Sequence, residues 1–184
     1  RNKAGGVDKP VDPYAGLSLE GQKEIYNYVQ QCMKPSVLQG LEIMRLQGGY
    51  IYLPTNTEKI TVKDPLGEVV KNQNGRLYVA IDPSSAGNSV PVWYGDNYVA
   101  APSLRFMEFQ LERYVQEDLE KCIAGFEPLK QRGFNISTEE MNVTVDMNRS
   151  VIVKVHYPIH VKVKEEKFDV NDYLYTVPIN MEKI

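Results

Sequence analysis

The chain has 184 residues, 42% hydrophobic and 24% charged, the size and composition of one folded domain rather than of a disordered or low-complexity polymer. With 21 basic against 24 acidic residues and a net charge of -3, it lacks the basic excess that displaces counterions from a phosphate backbone, so no nucleic-acid partner is expected. No stretch approaches the roughly 20 consecutive apolar residues of a membrane span, and none has the basic-then-apolar form of a signal peptide.

The chain opens at Arg1 without an initiator Met and reads as a fragment or processed product. Gly5, Gly6, Pro10, Pro13 and Gly16 among polar residues predict a linker or stalk over 1–17, with one folded domain over 18–184. Ser18 is a good N-cap for a helix from Leu19 to Met33, in which Ile25, Tyr28, Val29 and Cys32 share one face. Pro35 should break or kink that helix, or open a second segment in which Val37, Leu38, Leu41 and Met44 repeat the pattern before Gly48 and Gly49 stop it.

From Tyr50 to Tyr98 the period shortens. Tyr50 to Leu53, Lys59 to Val62 and Arg76 to Ile81 read as strands of a small meander, separated by the turn signals Asp64-Pro65, Asn74-Gly75 and Asp82-Pro83. Asp82 to Pro102, rich in Pro, Gly, Ser and Asn yet holding Trp93, Tyr94 and Tyr98, reads as an ordered loop pinned by aromatic rings. Pro102 and Ser103 open a second long helix. Its apolar stripe is Leu104, Met107, Leu111, Tyr114, Val115, Leu119 and Cys122, opposite Arg105, Glu112 and Arg113, and Gly125 and Gly133 mark the breaks after it.

Met141, Val143 and Val145 alternate with polar residues, Asn148-Arg149-Ser150 turns the chain, and the alternation resumes from Val151 to Val163. That predicts a half-buried hairpin whose wet side carries Lys154, His156, His160, Lys162 and Lys164, with Pro158 implying an edge position or a bulge. A last extended run, Asp172 to Asn180, adds a further strand. The expected class is therefore α+β: two long helices packed on an antiparallel β-sheet in a single domain, with an N-terminal stalk.

Chemistry-bearing residues are few. Cys32 and Cys122 each fall late in a predicted helix and in register with its apolar stripe, so two helices packed along those stripes can bring them together as a disulfide; two separate buried thiols fit the same spacing. Asn135, Asn142 and Asn148 each begin an Asn-x-Ser/Thr sequon and are candidate glycosylation sites, Asn148 foremost because it lies at the predicted turn. His156 and His160, on one face of a strand, would stand roughly 13 Å apart, too far to chelate one metal, so no metal site is expected. Asp146 to Ser150 starts like a calcium loop, but Val151 holds the sixth position, where Gly belongs, and Tyr157 the twelfth, where Glu belongs.

Trp93, Tyr94, Asp96 and Tyr98, with Tyr50 and Tyr52 facing them, form a candidate ligand groove for a sugar or an extended peptide; the same rings could instead fill the seam between helices and meander. No nucleophile elbow, phosphate loop, dinucleotide fingerprint or zinc-protease motif occurs, so neither a cofactor nor a catalytic residue is assigned.

Four segments carry a resemblance: the Cys32 helix, the turn Leu46-Gln47-Gly48-Gly49-Tyr50-Ile51-Tyr52, the Pro102-Ser103-Leu104 helix with Cys122, and Tyr157-Pro158-Ile159. From about Ser18 onward the chain resembles a family of uncharacterised archaeal surface proteins, which look like ectodomains carried behind a pilin-like N-terminal membrane helix. The resemblance implies an address rather than a reaction: that helix would precede Arg1, and further chain would follow Ile184. The expectation is a non-catalytic extracellular or cell-surface domain, held to the membrane only through a segment upstream of Arg1. It would bind protein or glycan at the cell surface, itself included, by adhesion or self-association. The alternatives are a pilin-like filament subunit and an envelope hydrolase using carboxylates such as Asp96 and Glu108.

Overall fold

The structure, a computed structural model, describes residues 20–52 and 102–178, and between them the backbone of strands over 57–64, 67–72, 77–80, 89–91, 94–95 and 98–99. The expected stalk and the Ser18 cap lie outside the described residues. The described chain is mixed helix and sheet, and every strand pairing in it is antiparallel.

Helix α1 runs unbroken over Glu20–Leu46, through Pro35, so the predicted stop at Met33 is corrected. Proline in a helix removes one hydrogen bond to the carbonyl four residues back. Here that carbonyl belongs to Gln31, and both Gln31 and Pro35 are exposed, so the freed carbonyl lies on the solvent side of the helix. The buried row continues on either side of Pro35, through Ile25, Val29, Cys32, Met33, Val37, Gly40 and Met44, whereas Leu38, expected within it, is 42% exposed. Gly49 ends the turn after α1 with φ +91, and a Cβ there would lie 2.5 Å from Pro102 Cγ, so only glycine fits.

The predicted meander is a four-stranded sheet in sequential order, β1 (Thr57–Asp64), β2 (Gly67–Asn72), β3 (Leu77–Ala80) and β4 (Ser89–Pro91). The turn signals Asp64-Pro65, Asn74-Gly75 and Asp82-Pro83 fall between consecutive strands. Sequence reading missed β2 and β4 and placed a strand at Tyr50 to Leu53, where Ile51 and Tyr52 instead form a bend. Two short strands, β5 (Tyr94–Gly95) and β6 (Tyr98–Val99), pair with each other.

Helix α2 (Leu104–Ile123) opens at Ser103 as expected, and Ser103 caps it: its Oγ accepts the N–H of Phe106 at 3.2 Å. Its buried row is Glu108, Leu111, Val115, Leu119 and Ile123, rotated from the predicted stripe: Leu104 is 45% exposed and Cys122 is exposed rather than core-facing. The rotation follows from two neighbours, since α2 packs on α1 along one side and on the sheet along another. Gly125, at φ 69, and Gly133, at φ 91, flank the short helix α3 (Glu127–Lys130), as their expected breaking role requires.

The main sheet has β9 (Ser150–Val163) at its centre, β10 (Glu166–Pro178) on one side, and β7 (Asn135–Thr138) and β8 (Asn142–Asp146) end to end on the other. The final strand thus starts six residues before the predicted Asp172. Pro158 occupies the central strand, not an edge, and the bulge alternative holds: residues 139–141 on one side and Asn171 alone on the other face Tyr157 and Pro158. The bulge shifts the inward set of β10 from Phe168 and Val170 to Tyr173. Val143, Val145, Val151, Val153, Val155, Ile159 and Val161 face inward under the two helices, and Lys154, His156, Lys162 and Lys164 are exposed, as the alternation requires.

Candidate functional site

Cys32 and Cys122 form a disulfide with Cα atoms 5.8 Å apart and a sequence separation of 90 residues, and it ties α1 to α2. Cys32 is buried and Cys122 exposed, so the bridge closes the outer margin of the helix seam. Ser36, fully buried one turn further on, donates to Asp118 Oδ2 across the same seam.

At the other end of the seam α2 grips the bend that leaves α1. Gln110 Oε1 accepts the N–H groups of Ile51 at 2.9 Å and Tyr52 at 3.2 Å, and its Nε2 donates to Gly49 O at 3.2 Å. Tyr52 then lies along α2: its hydroxyl donates to Glu117 Oε2 at 3.0 Å, and the Arg113 guanidinium sits 4.5 Å above its ring. Partial burial and the Glu117 carboxylate push the Tyr52 phenol up to about 12, while the Arg113 guanidinium and that phenol hold the Glu117 carboxyl below its usual range. Tyr50 is buried, its ring edge-on to Phe106 with centroids 5.5 Å apart. Of the expected aromatic groove, Tyr50 and Tyr52 therefore face α2. Trp93 and Asp96 lie outside the described residues, and Tyr94 and Tyr98 are described only by the backbone pairing of β5 and β6.

The carboxylates of α2 close the outer edge of β8. Glu108 Oε1 accepts the Met147 N–H at 3.0 Å and Glu112 Oε1 that of Val145 at 3.1 Å, with Arg105 paired to both carboxylates. Glu112, expected on the wet side with Arg105, is thus turned to the sheet, because two strand N–H groups without a ladder partner need acceptors there. Glu108, considered as a catalytic acid, is engaged in the same seal. On the opposite edge α1 does the converse: Gln22 donates to Asp169 O at 3.3 Å and Gln30 to Leu174 O at 3.0 Å on β10. Sequence reading missed Gln22, Gln30 and Gln110, and the one available signal was a long amide side chain inside an otherwise apolar helical face.

All three sequon asparagines are exposed. Asn135 and Asn142 lie on strands at the face away from the helices, and Asn148 in the turn between β8 and β9, where its N–H and Nδ2 both donate to Asp146 Oδ1. On that face His156 Nδ1 is 2.8 Å from Asp172 Oδ1, and His160 lies between Asp169 and Glu139, both of which raise its proton affinity, Asp169 more. Among the described residues no group of three His, Cys, Asp or Glu is arranged to hold a metal ion.

A cleft of about 540 Å³ opens between the start of α1 and α3, lined by Lys23, Glu24, Asn27, Tyr28 and Arg132 among others; Glu24 and Arg132 are paired with each other. No family model, no curated protein and no solved structure gives a significant match to the chain.

Proposed function

We propose that this chain is the extracytoplasmic, non-catalytic domain of a membrane-anchored archaeal surface protein, carried on a stalk over residues 1–17 and working by adhesion or self-association. The observation that carries this reading is the Cys32–Cys122 bridge between the two long helices, since such cross-links persist in oxidising surroundings and are rare in reducing ones. The exposure of Asn135, Asn142 and Asn148 supports it, because a glycan on each would extend into solvent without disturbing the core. Protein or glycan partners would meet the aromatic segment Trp93 to Tyr98.

A second reading, a pilin-like filament subunit, gains from one observation: Pro35 does not interrupt α1, which runs for 27 residues and so spans about 40 Å. A long leading helix with a β-rich head is what such assembly requires.

Protease added to intact cells of the native source should remove the chain while sparing a cytoplasmic marker, and protection equal to the marker's would overturn the surface assignment. Immunogold label on the same cells separates the two readings: label in ordered filaments favours the subunit, and scattered label favours the adhesive domain.

A further inference from the structure

His160 stands beside the place where the sheet's ladder is broken on both sides of its central strand. The register resumes at Ile159, opposite Val170 and Thr138, and one residue further His160 stands opposite Asp169 on β10 and Ser137 on β7. The next rung toward the break is a single bond from the Glu139 N–H to Pro158 O at 3.0 Å. Across this gap the imidazole reaches both neighbours, with Nδ1 2.8 Å from Asp169 Oδ1 and Nε2 3.1 Å from Glu139 Oε1.

A neutral imidazole has one N–H and one lone pair. It can donate to one of these carboxylates, but then its bare nitrogen faces the other oxygen, lone pair to lone pair. Only the imidazolium, with two N–H donors, satisfies both contacts. The remaining groups on this face do not replace it. Ser137 is neutral, Asp172 is taken by His156, and Lys162 and Lys167 form the next cross-strand pair, two like charges. The helices α1 and α2 pack against the other face of the sheet.

We propose that His160 is a pH-operated clamp on this bulge: as the cation it ties β10 to the connection 139–141 between β7 and β8, and on losing its proton it releases the Glu139 side. The clamp does not depend on where the protein resides. The two carboxylates hold the histidine's proton affinity above its ordinary value of 6.5, Asp169 contributing more than Glu139. A histidine raised in the folded state contributes fully below its unfolded value and loses that contribution as pH rises through its folded value.

The test is a ring-proton titration of the whole chain by NMR, with His156→Gln used to assign the remaining signal. The expected His160 midpoint lies above 6.5, falls with Glu139→Gln and falls further with Asp169→Asn. Hydrogen exchange at the Glu139 amide, corrected for its intrinsic pH dependence, should become several-fold faster once His160 is neutral, and this step should vanish in Glu139→Gln. A midpoint at or below 6.5, a midpoint unmoved by Glu139→Gln, or an exchange step that survives that substitution would each overturn the proposal. All the substituted side chains are exposed, and the two carboxylates are replaced by amides of the same shape, so circular dichroism at one pH suffices to verify that the fold is kept.

Discussion

Gln110 is 3% exposed and makes all three of its hydrogen bonds to one backbone segment, Gly49 to Tyr52. Removing it strands two N–H groups, one of them fully enclosed, and a buried donor left without a partner costs about 1–3 kcal/mol. Gln110→Ala is therefore expected to destabilise the fold by about 2–3 kcal/mol, read as a lower midpoint in urea at an unchanged slope. An unaltered midpoint would mean that water replaces the amide without loss. The sequence showed the start of α2 at Ser103 and the late-helix positions of Cys32 and Cys122 because these are local patterns, though the register turned Cys122 inward where the structure has it exposed. Gln110, Glu108 and Glu112 were opaque for the opposite reason: their partners lie some 33 to 61 residues away, and a polar residue on a helix reads as solvent-facing until the strand edge or bend it serves is in place.

At the scale of elements, α1 sets a local rule against a tertiary one. Proline in a helix interior is about 3 kcal/mol worse than alanine, yet the helix continues because its apolar row is buried on both sides of Pro35, against β10 before it and α2 after it, and is tied to α2 by Cys32 and Ser36. Pro35→Ala should then raise stability by about 1–2 kcal/mol, less than the full propensity difference because alanine also frees the unfolded chain. A loss of stability instead would show that the helix relies on a bend at that point. The alternation of Val143 to Val163 was legible residue by residue, since period-2 burial is independent of what lies opposite. The true extent of β10 was not, because the bulge at Asn171 shifts its inward set by one and breaks the pattern that would have announced a strand from Glu166.

Across the whole molecule, both long edges of the main sheet are met by helices: carboxylates of α2 accept from Val145 and Met147, and amides of α1 donate to Asp169 and Leu174. Such edges do not add a strand from another copy at those rungs, so self-association of the proposed surface domain would use the aromatic segment rather than β8 or β10 there. The disulfide binds these two helical covers into one unit, and in the chain-entropy model a loop of about 90 residues gives it roughly 4–5 kcal/mol. The class, helices on an antiparallel sheet, was readable from period and turns, whereas the sealing of the edges was not, since it exists only between elements. The proposed extracytoplasmic address is tested most directly by the intact mass of the protein from its native source, before and after reduction and deglycosylation. That address requires a gain of two hydrogens on reduction and a removable glycan mass that maps to Asn135, Asn142 or Asn148; two free thiols and an unmodified chain would overturn it.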